Sequence, residues 1–332
     1  MIQSIRARLR RRWGFGRGCA TVAVMLSLAG AARAQDQVTF GTAGSLGDAS
    51  AAVALGIGWG WFTEAGINAR IVDFRGGAPA VQALVGNGIT YCICAPEHAV
   101  RLRNRNIDGV IAFALDRRHT YSLLVPANSP VRSLEDLRGK RVGITSPGSL
   151  TENLVRLLLS RDGNLQAGRD FEIVGAGVGA VQKAALDTGR IAAGTFGNLD
   201  TLRLEGQGYR ILYDWRTQNV PSLALIARQR WIEENESVAQ RVLQVVLRAQ
   251  ATLLDDRDVA AATLRRLYPE LPEPVIAQVA AGLPARLSRD GVYTPEEIQR
   301  LQDDLIATDP AIRPVPYETI VPLRLFRAAA AH

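Results

Sequence analysis

The sequence predicts an α/β protein of two units, each a mainly parallel sheet with helices on both faces. Three observations lead there. The 332 residues leave room for about two domains of roughly 100–200 residues each. Hydrophobic residues make up 47 % and charged residues 21 % of the chain, enough apolar surface to bury a sizeable core and too much for a disordered one. Short strand-like runs also alternate with helical ones, the pattern of βαβ units.

The elements of the first unit follow in order. Val38–Thr42 is a short strand, and Ala49–Ala65 is a helical stretch closed by Gly66. Ala69–Phe74 alternates as a strand, and Gly76-Gly77-Ala78-Pro79 opens a helix through Val85, with proline near the first helical position. Thr90–Cys94 is a strand, Glu97–Arg105 a helix, and Val110–Ala114 and Tyr121–Val125 are strands.

A second unit is expected after Pro126. Ser133–Leu137 reads as a short helix, Arg141–Thr145 as a strand and Ser149–Arg161 as a helix. Ser149 and Glu152 have the spacing of a capping box for that helix. Asp170–Val174, Ala192–Phe196 and Tyr209–Tyr213 are strands, with a helix at Val178–Thr188. From about Pro221 the chain changes character. Ser222–Ala227 is strand-like, and then helices dominate at Trp231–Leu254, Val259–Tyr268, Pro274–Ala281 and Pro295–Thr308.

The formal net charge of +7 suggests a nucleic-acid or membrane surface until it is located. Residues 1–34 hold seven arginines and no acid, and without them 32 basic residues face 32 acidic ones. The excess belongs to a leader with the anatomy of an export signal: an Arg-rich start, an apolar run Cys19–Ala32, then Ala32-Arg33-Ala34 before polar Gln35-Asp36. That run is shorter than the roughly 20 residues a membrane span needs. Cleavage is expected after Ala34, giving a periplasmic protein.

No catalytic motif stands out. The nucleophile elbow, the phosphate loop, the paired-histidine zinc motif and C-x-x-C are missing. Gly175-Ala176-Gly177-Val178-Gly179 fails the spacing of a dinucleotide loop. His98, His119 and His332 form no metal-ligand spacing, so neither metal nor cofactor is expected. Beyond the leader only Cys92 and Cys94 remain. On an extended strand their Cα atoms would lie about 6.5 Å apart with parallel side chains. That geometry suits core packing better than a disulfide.

A family resemblance emerges over Val38–Tyr213. It is carried by Gly60-Trp61-Phe62-Thr63-Glu64-Ala65-Gly66-Ile67, Gly76-Gly77, Gln82-Ala83-Leu84-Val85-Gly86-Asn87-Gly88, the block Ser129–Gly143, and Ala185-Leu186-Asp187-Thr188-Gly189. In these segments the chain resembles the extracytoplasmic solute-binding proteins of ABC importers, in the branch that takes nitrate, sulfonates, taurine and thiamine pyrimidines. The resemblance implies the type II two-lobed periplasmic-binding fold. Lobe 1 would be residues 37–126 plus 219–332, and lobe 2 residues 127–218. The partners implied are a small-molecule ligand and an inner-membrane ABC permease with its ATPase, with no nucleic acid, and the protein would act as a monomer.

In such a fold the ligand sits between the lobes, at the carboxyl ends of strands and the starts of helices. Strand ends then nominate Ser45, Leu46, Asp48, Gly77, Ala78, Pro96, Glu97 and Arg117 in lobe 1. In lobe 2 they nominate Gly148, Ser149, Thr151, Gly177 and Asn198, with Gln218 near the return crossing. Asp48, Glu97 and Glu152 stand at or near helix starts, which favours a neutral or amine-bearing ligand, with Glu97 foremost and Arg117 or Arg118 for any acidic end. The other functional class is an enzyme, since desulfinases and a pyrimidine synthase also resemble this family. An enzyme would need a reactive cysteine or a histidine constellation in the cleft.

Overall fold

The computed structural model describes residues 35–42 and 50–330. The leader, its cleavage site and Ser45, Leu46 and Asp48 lie outside the described residues. Among the described residues ten strands form two five-stranded sheets. β1 (Asp36–Thr42), β2 (Ile67–Asp73), β3 (Tyr91–Cys94) and β4 (Gly109–Ala114) open the chain. β5 (Tyr121–Val125), β6 (Arg141–Ile144), β7 (Glu172–Gly175), β8 (Ala193–Gly197), β9 (Arg210–Asp214) and β10 (Ala224–Arg228) follow.

The first sheet has the order β2-β1-β3-β10-β4 and the second β7-β6-β8-β5-β9. In each, four strands run parallel and the fourth in spatial order runs against its neighbours. Those two exceptions, β5 and β10, are the strands that follow a passage from one sheet to the other. β5 pairs with β8 and β9. The first passage is therefore residues 115–120, and the expected boundary near Pro126 moves ahead of β5. The return passage is residues 215–223.

Among the described residues fourteen α-helices flank the sheets. α1 (Ala51–Gly58), α2 (Trp61–Glu64), α3 (Gly77–Val85), α4 (Glu97–Asn104), α5 (Leu150–Arg161), α6 (Ala180–Asp187) and α7 (Asn198–Glu205) interleave with the strands. α8 (Gln229–Glu234), α9 (Glu236–Asp255), α10 (Arg257–Leu267), α11 (Glu273–Gly282), α12 (Pro295–Thr308), α13 (Tyr317–Ile320) and α14 (Leu323–Ala330) close the chain. The helix expected over Ala49–Ala65 is broken between α1 and α2, because Gly60 takes a φ of +77°. The run expected over Trp231–Leu254 is broken at Asn235. α12 keeps its expected bounds: Thr294 accepts from the Glu297 backbone N–H, Glu297 caps in return, and proline fills the first turn.

Each sheet is covered on both faces. In the first, Phe40, Tyr91 and Phe113 pack toward α1 and α9, while Ile111 and Ile226 face the α3, α4 and α12 side. Cys92 and Cys94 also face that side and are fully buried. They are nevertheless joined as a disulfide, against the expectation of two free thiols. The strand contracts there to a Cα–Cα separation of 5.5 Å, inside bridging range.

Candidate functional site

The carboxyl ends of the parallel strands of both sheets face a common cleft. Thr42 ends β1, Ile93 lies in β3, Thr145 follows β6, and Phe196 and Gly197 end β8. With Tyr121 at the start of β5 they line a cavity of about 260 Å³. α6 and α7 bring Gly179, Asn198, Asp200 and Arg203 to its wall. The turn after α10 adds Tyr268, Glu270 and Leu271 from the other lobe. A narrower recess of about 10 Å³ shares Tyr121, Thr145 and Leu223 with this cavity and is closed by Gly77, His98, Ser149 and Thr151.

Among the described residues the recess has no charged side chain, and Ala95, Leu150 and Leu223 share its wall with three hydroxyls. Thr145, Ser149 and Thr151 hydroxyls form a closed triangle with sides of 2.9 Å. The Thr145 backbone N–H donates to Thr151 Oγ1 at 3.0 Å. Ser149 therefore does not cap α5 with its side chain, and the expected capping box is not formed. Glu152 instead accepts from the Gly148 N–H at 2.7 Å and pairs with Arg156. Opposite, a Cβ on Gly77 would stand 2.8 Å from His98 Nε2, and one on Gly76 would stand 2.6 Å from Ser146 Oγ of the other lobe. Only glycine lets the chain run this close. Burial, with Arg101 and Arg105 nearby, pushes the His98 pKa down to about 3, so its imidazole is neutral.

The nominated residues divide. Gly77, Ser149 and Thr151 reach the recess and Asn198 the main cavity. Gly177 lies just before the Val178–Ala180 stretch that lines the cavity. Ala78 stands against Gly148 across the lobes, at 3.7 Å from where its Cβ would be. Pro96 and Glu97 lie behind the cleft, in the seam between α4, α5 and α12. Glu97 is 3 % exposed, accepts from Asn153 Nδ2 at 3.0 Å, and has its pKa raised by burial. It is a bond between lobes and not a helix-start carboxylate open to ligand. Arg117 is also spent elsewhere: it donates to both Glu297 carboxylate oxygens, to Asp290 and to the Val292 carbonyl. Gln218 belongs to the passages between sheets, where its carbonyl accepts from the His119 N–H and its side chain donates to Tyr213.

The carboxylates that do face the cavity, Asp200 and Glu270, were not nominated. Asp200 sits within α7, past its strand end, and Glu270 comes from a turn far along the chain. Asp200 accepts from Arg203 Nη2 at 2.8 Å. Its pKa is raised by burial and further by Glu270, against the pull of Arg203. Among the described residues no cluster of His, Cys, Asp and Glu could hold a metal ion. No described helix is long and apolar enough to cross a membrane.

Residues 50–260 match the NMT1/THI5-like family, well over half of the chain. The chain belongs to that family. No curated protein matches the sequence. A Bordetella bronchiseptica structure is similar with a TM-score of 0.78 at 25 % identity, covering 90 % of this chain and 98 % of that one. The alkanesulfonate-binding protein SsuA from Xanthomonas axonopodis, bound to MOPS, is similar at 0.70 and 19 % identity, over 87 % of this chain and 97 % of its own. The periplasmic nitrate-binding protein NrtA from Synechocystis gives 0.68 at 15 %, over 90 % and 89 %. These last two likenesses speak to the fold. The chain is thus a two-lobed α/β protein of the NMT1/THI5-like family, with the fold of these binding proteins.

Proposed function

We propose that this NMT1/THI5-like chain is exported and captures a small organic molecule between its two lobes for delivery to an ABC permease and its ATPase. The observation that carries the reading is the cavity at the carboxyl ends of both sheets, lined from both lobes. Two antiparallel passages connect the lobes, so closure about them would bury a ligand and change the shape a membrane partner meets. The enzyme alternative would draw on a free thiol in the cleft, whereas Cys92 and Cys94 bond to each other in the core.

The test is the melting temperature of the chain from Gln35 onward, measured against a panel of small solutes. The panel holds nitrate, alkanesulfonates, amino sulfonates and aminopyrimidines. A solute that binds only the folded state raises it, by about 2.7 kcal/mol of stabilisation at a hundred times its Kd. A panel with no such solute, or turnover of one that binds, would overturn solute capture. Intact mass of the exported protein checks processing after Ala34.

A further inference from the structure

The seam behind the cleft buries an acid without enough cations to hold it. Glu97 opens α4 of the first lobe and is 3 % exposed, set against α5 of the second lobe and α12. Its Oε2 accepts from Asn153 Nδ2 at 3.0 Å, a neutral donor. Its Oε1 has no hydrogen-bond partner among the described residues. A carboxylate taken out of water needs several donors or a close cation.

The charges that face it come from each element of the seam. On its own helix Arg101 Nε stands 3.8 Å from Oε1, beyond hydrogen-bond reach. The same guanidinium bonds Asp309, just past α12, at 2.9 Å and Asn153 at 3.4 Å. α5 brings Glu152, paired with Arg156, and α12 brings Asp304, paired with Arg161 of α5. The first passage between the sheets brings His119, also 3 % exposed, and His98 follows Glu97 at the recess. Glu97, Glu152, Asp304 and Asp309 thus share three guanidinium groups, and Glu97 is the acid left without a bonded one. A proton on Oε1 would remove the surplus charge and give the unpartnered oxygen an O–H to donate. When α5 withdraws, that carboxyl meets water and has no such need.

We propose that the seam is a proton-linked latch, in which a proton on Glu97 tightens the closed form as pH falls. The device needs only lobes that part, so it stands apart from solute capture. Its sign is fixed by burial. The closed form holds the proton more tightly than the open one, so its advantage is complete below the ordinary glutamate value of 4.5. The advantage is lost as pH rises through the closed-form value, at up to about ten-fold in closed-to-open ratio per pH unit. His98 and His119 are held neutral by burial, so closure over them would respond in the opposite sense.

Small-angle scattering of the chain from Gln35, with no solute added, tests this between about pH 5 and pH 8. The radius of gyration of the wild type should rise with pH. Glu97→Gln keeps the shape of a protonated carboxyl at every pH, so it should hold the compact low-pH value throughout. Glu152→Gln and His119→Gln should keep the wild-type rise. Infrared spectra of the wild type give a second reading that needs no variant: a protonated-carboxyl band should fade over the pH span in which the radius grows. A wild-type radius that is flat or falls as pH rises overturns the latch. So does a rise of the same size in Glu97→Gln, or a radius that grows with no such band fading. Each of these results leaves solute capture, judged by the melting temperature against the solute panel, untouched.

Discussion

Asn153 is where the two lobes grip each other, and replacing it should loosen the closed form. Its Nδ2 donates to buried Glu97 Oε2 at 3.0 Å. Its Oδ1 accepts from Thr308 Oγ1 at 2.5 Å and from Arg101 Nη2 at 3.4 Å. Asn153→Ala removes one charge-assisted bond, worth about 1.5–3 kcal/mol, and one neutral bond, worth about 1 kcal/mol. Glu97 is then left buried with Arg101 Nε at 3.8 Å as its remaining partner. In the open form all these groups meet water, so the loss falls on the closed form alone. About 2–4 kcal/mol shifts the closed-to-open ratio by roughly 30- to 800-fold.

Small-angle scattering of ligand-free protein should show a larger radius of gyration for Asn153→Ala. Calorimetry should show ligand affinity weakened by up to the same factor. Asn153→Asp, which sets a second carboxylate beside Glu97, should open the lobes further. Wild-type scattering and affinity in both variants would refute the view that this seam holds the lobes together.

Other outcomes follow from the same structure. His98 and His119 are held neutral by burial, with pKa values pushed down to about 3 and about 4. A depressed folded-state pKa gives stability that is complete above the unfolded value near 6.5 and is lost as pH falls toward the folded one, at up to about 1.4 kcal/mol per pH unit for each group. Denaturant titrations between those limits should show the loss, and the double variant His98→Gln, His119→Gln should flatten it. The disulfide of Cys92 and Cys94 closes a very short loop, so its reduction should cost only about 1–2 kcal/mol in the chain-entropy account. Mass spectrometry of the alkylated, unreduced chain from Gln35 should find both cysteines unmodified. Gly291 has a φ of +72°, and a Cβ there would stand 2.4 Å from Phe113 Cε2. Gly291→Ala should therefore lower stability by about 2–4 kcal/mol, read from the urea midpoint.

The alternation of strands and helices was legible because it rests on local periodicity. α12 was legible to the residue, because Thr294, Pro295 and Glu297 carry its whole start signal within four positions. What escaped was what distant partners decide. Arg117 looks like a strand-end cation, and it is Glu297, 180 residues on, that takes it out of the cleft. Glu97 looks like a helix-start carboxylate until Asn153, 56 residues on, claims it. Asp200 and Glu270 come together only because two lobes meet, and no spacing in the sequence announces that. The disulfide turned on one ångström of strand contraction, below what a residue pattern resolves.

The place of β10 has a consequence for the order in which the molecule can assemble. β5 through β9 are contiguous in sequence, so the second sheet can zip up as soon as Asp214 is available. The first sheet cannot. β10 lies between β3 and β4 and pairs with both, so until Ala224–Arg228 arrives those two strands have no neighbour to join them. During synthesis the first lobe must wait, half-built and with hydrophobic edges bare, while the second is already complete. Pairings this remote in sequence are slow to form and leave sticky intermediates. A chain emerging from a ribosome or a translocation pore would thus present a folded second lobe attached to an unfinished first one.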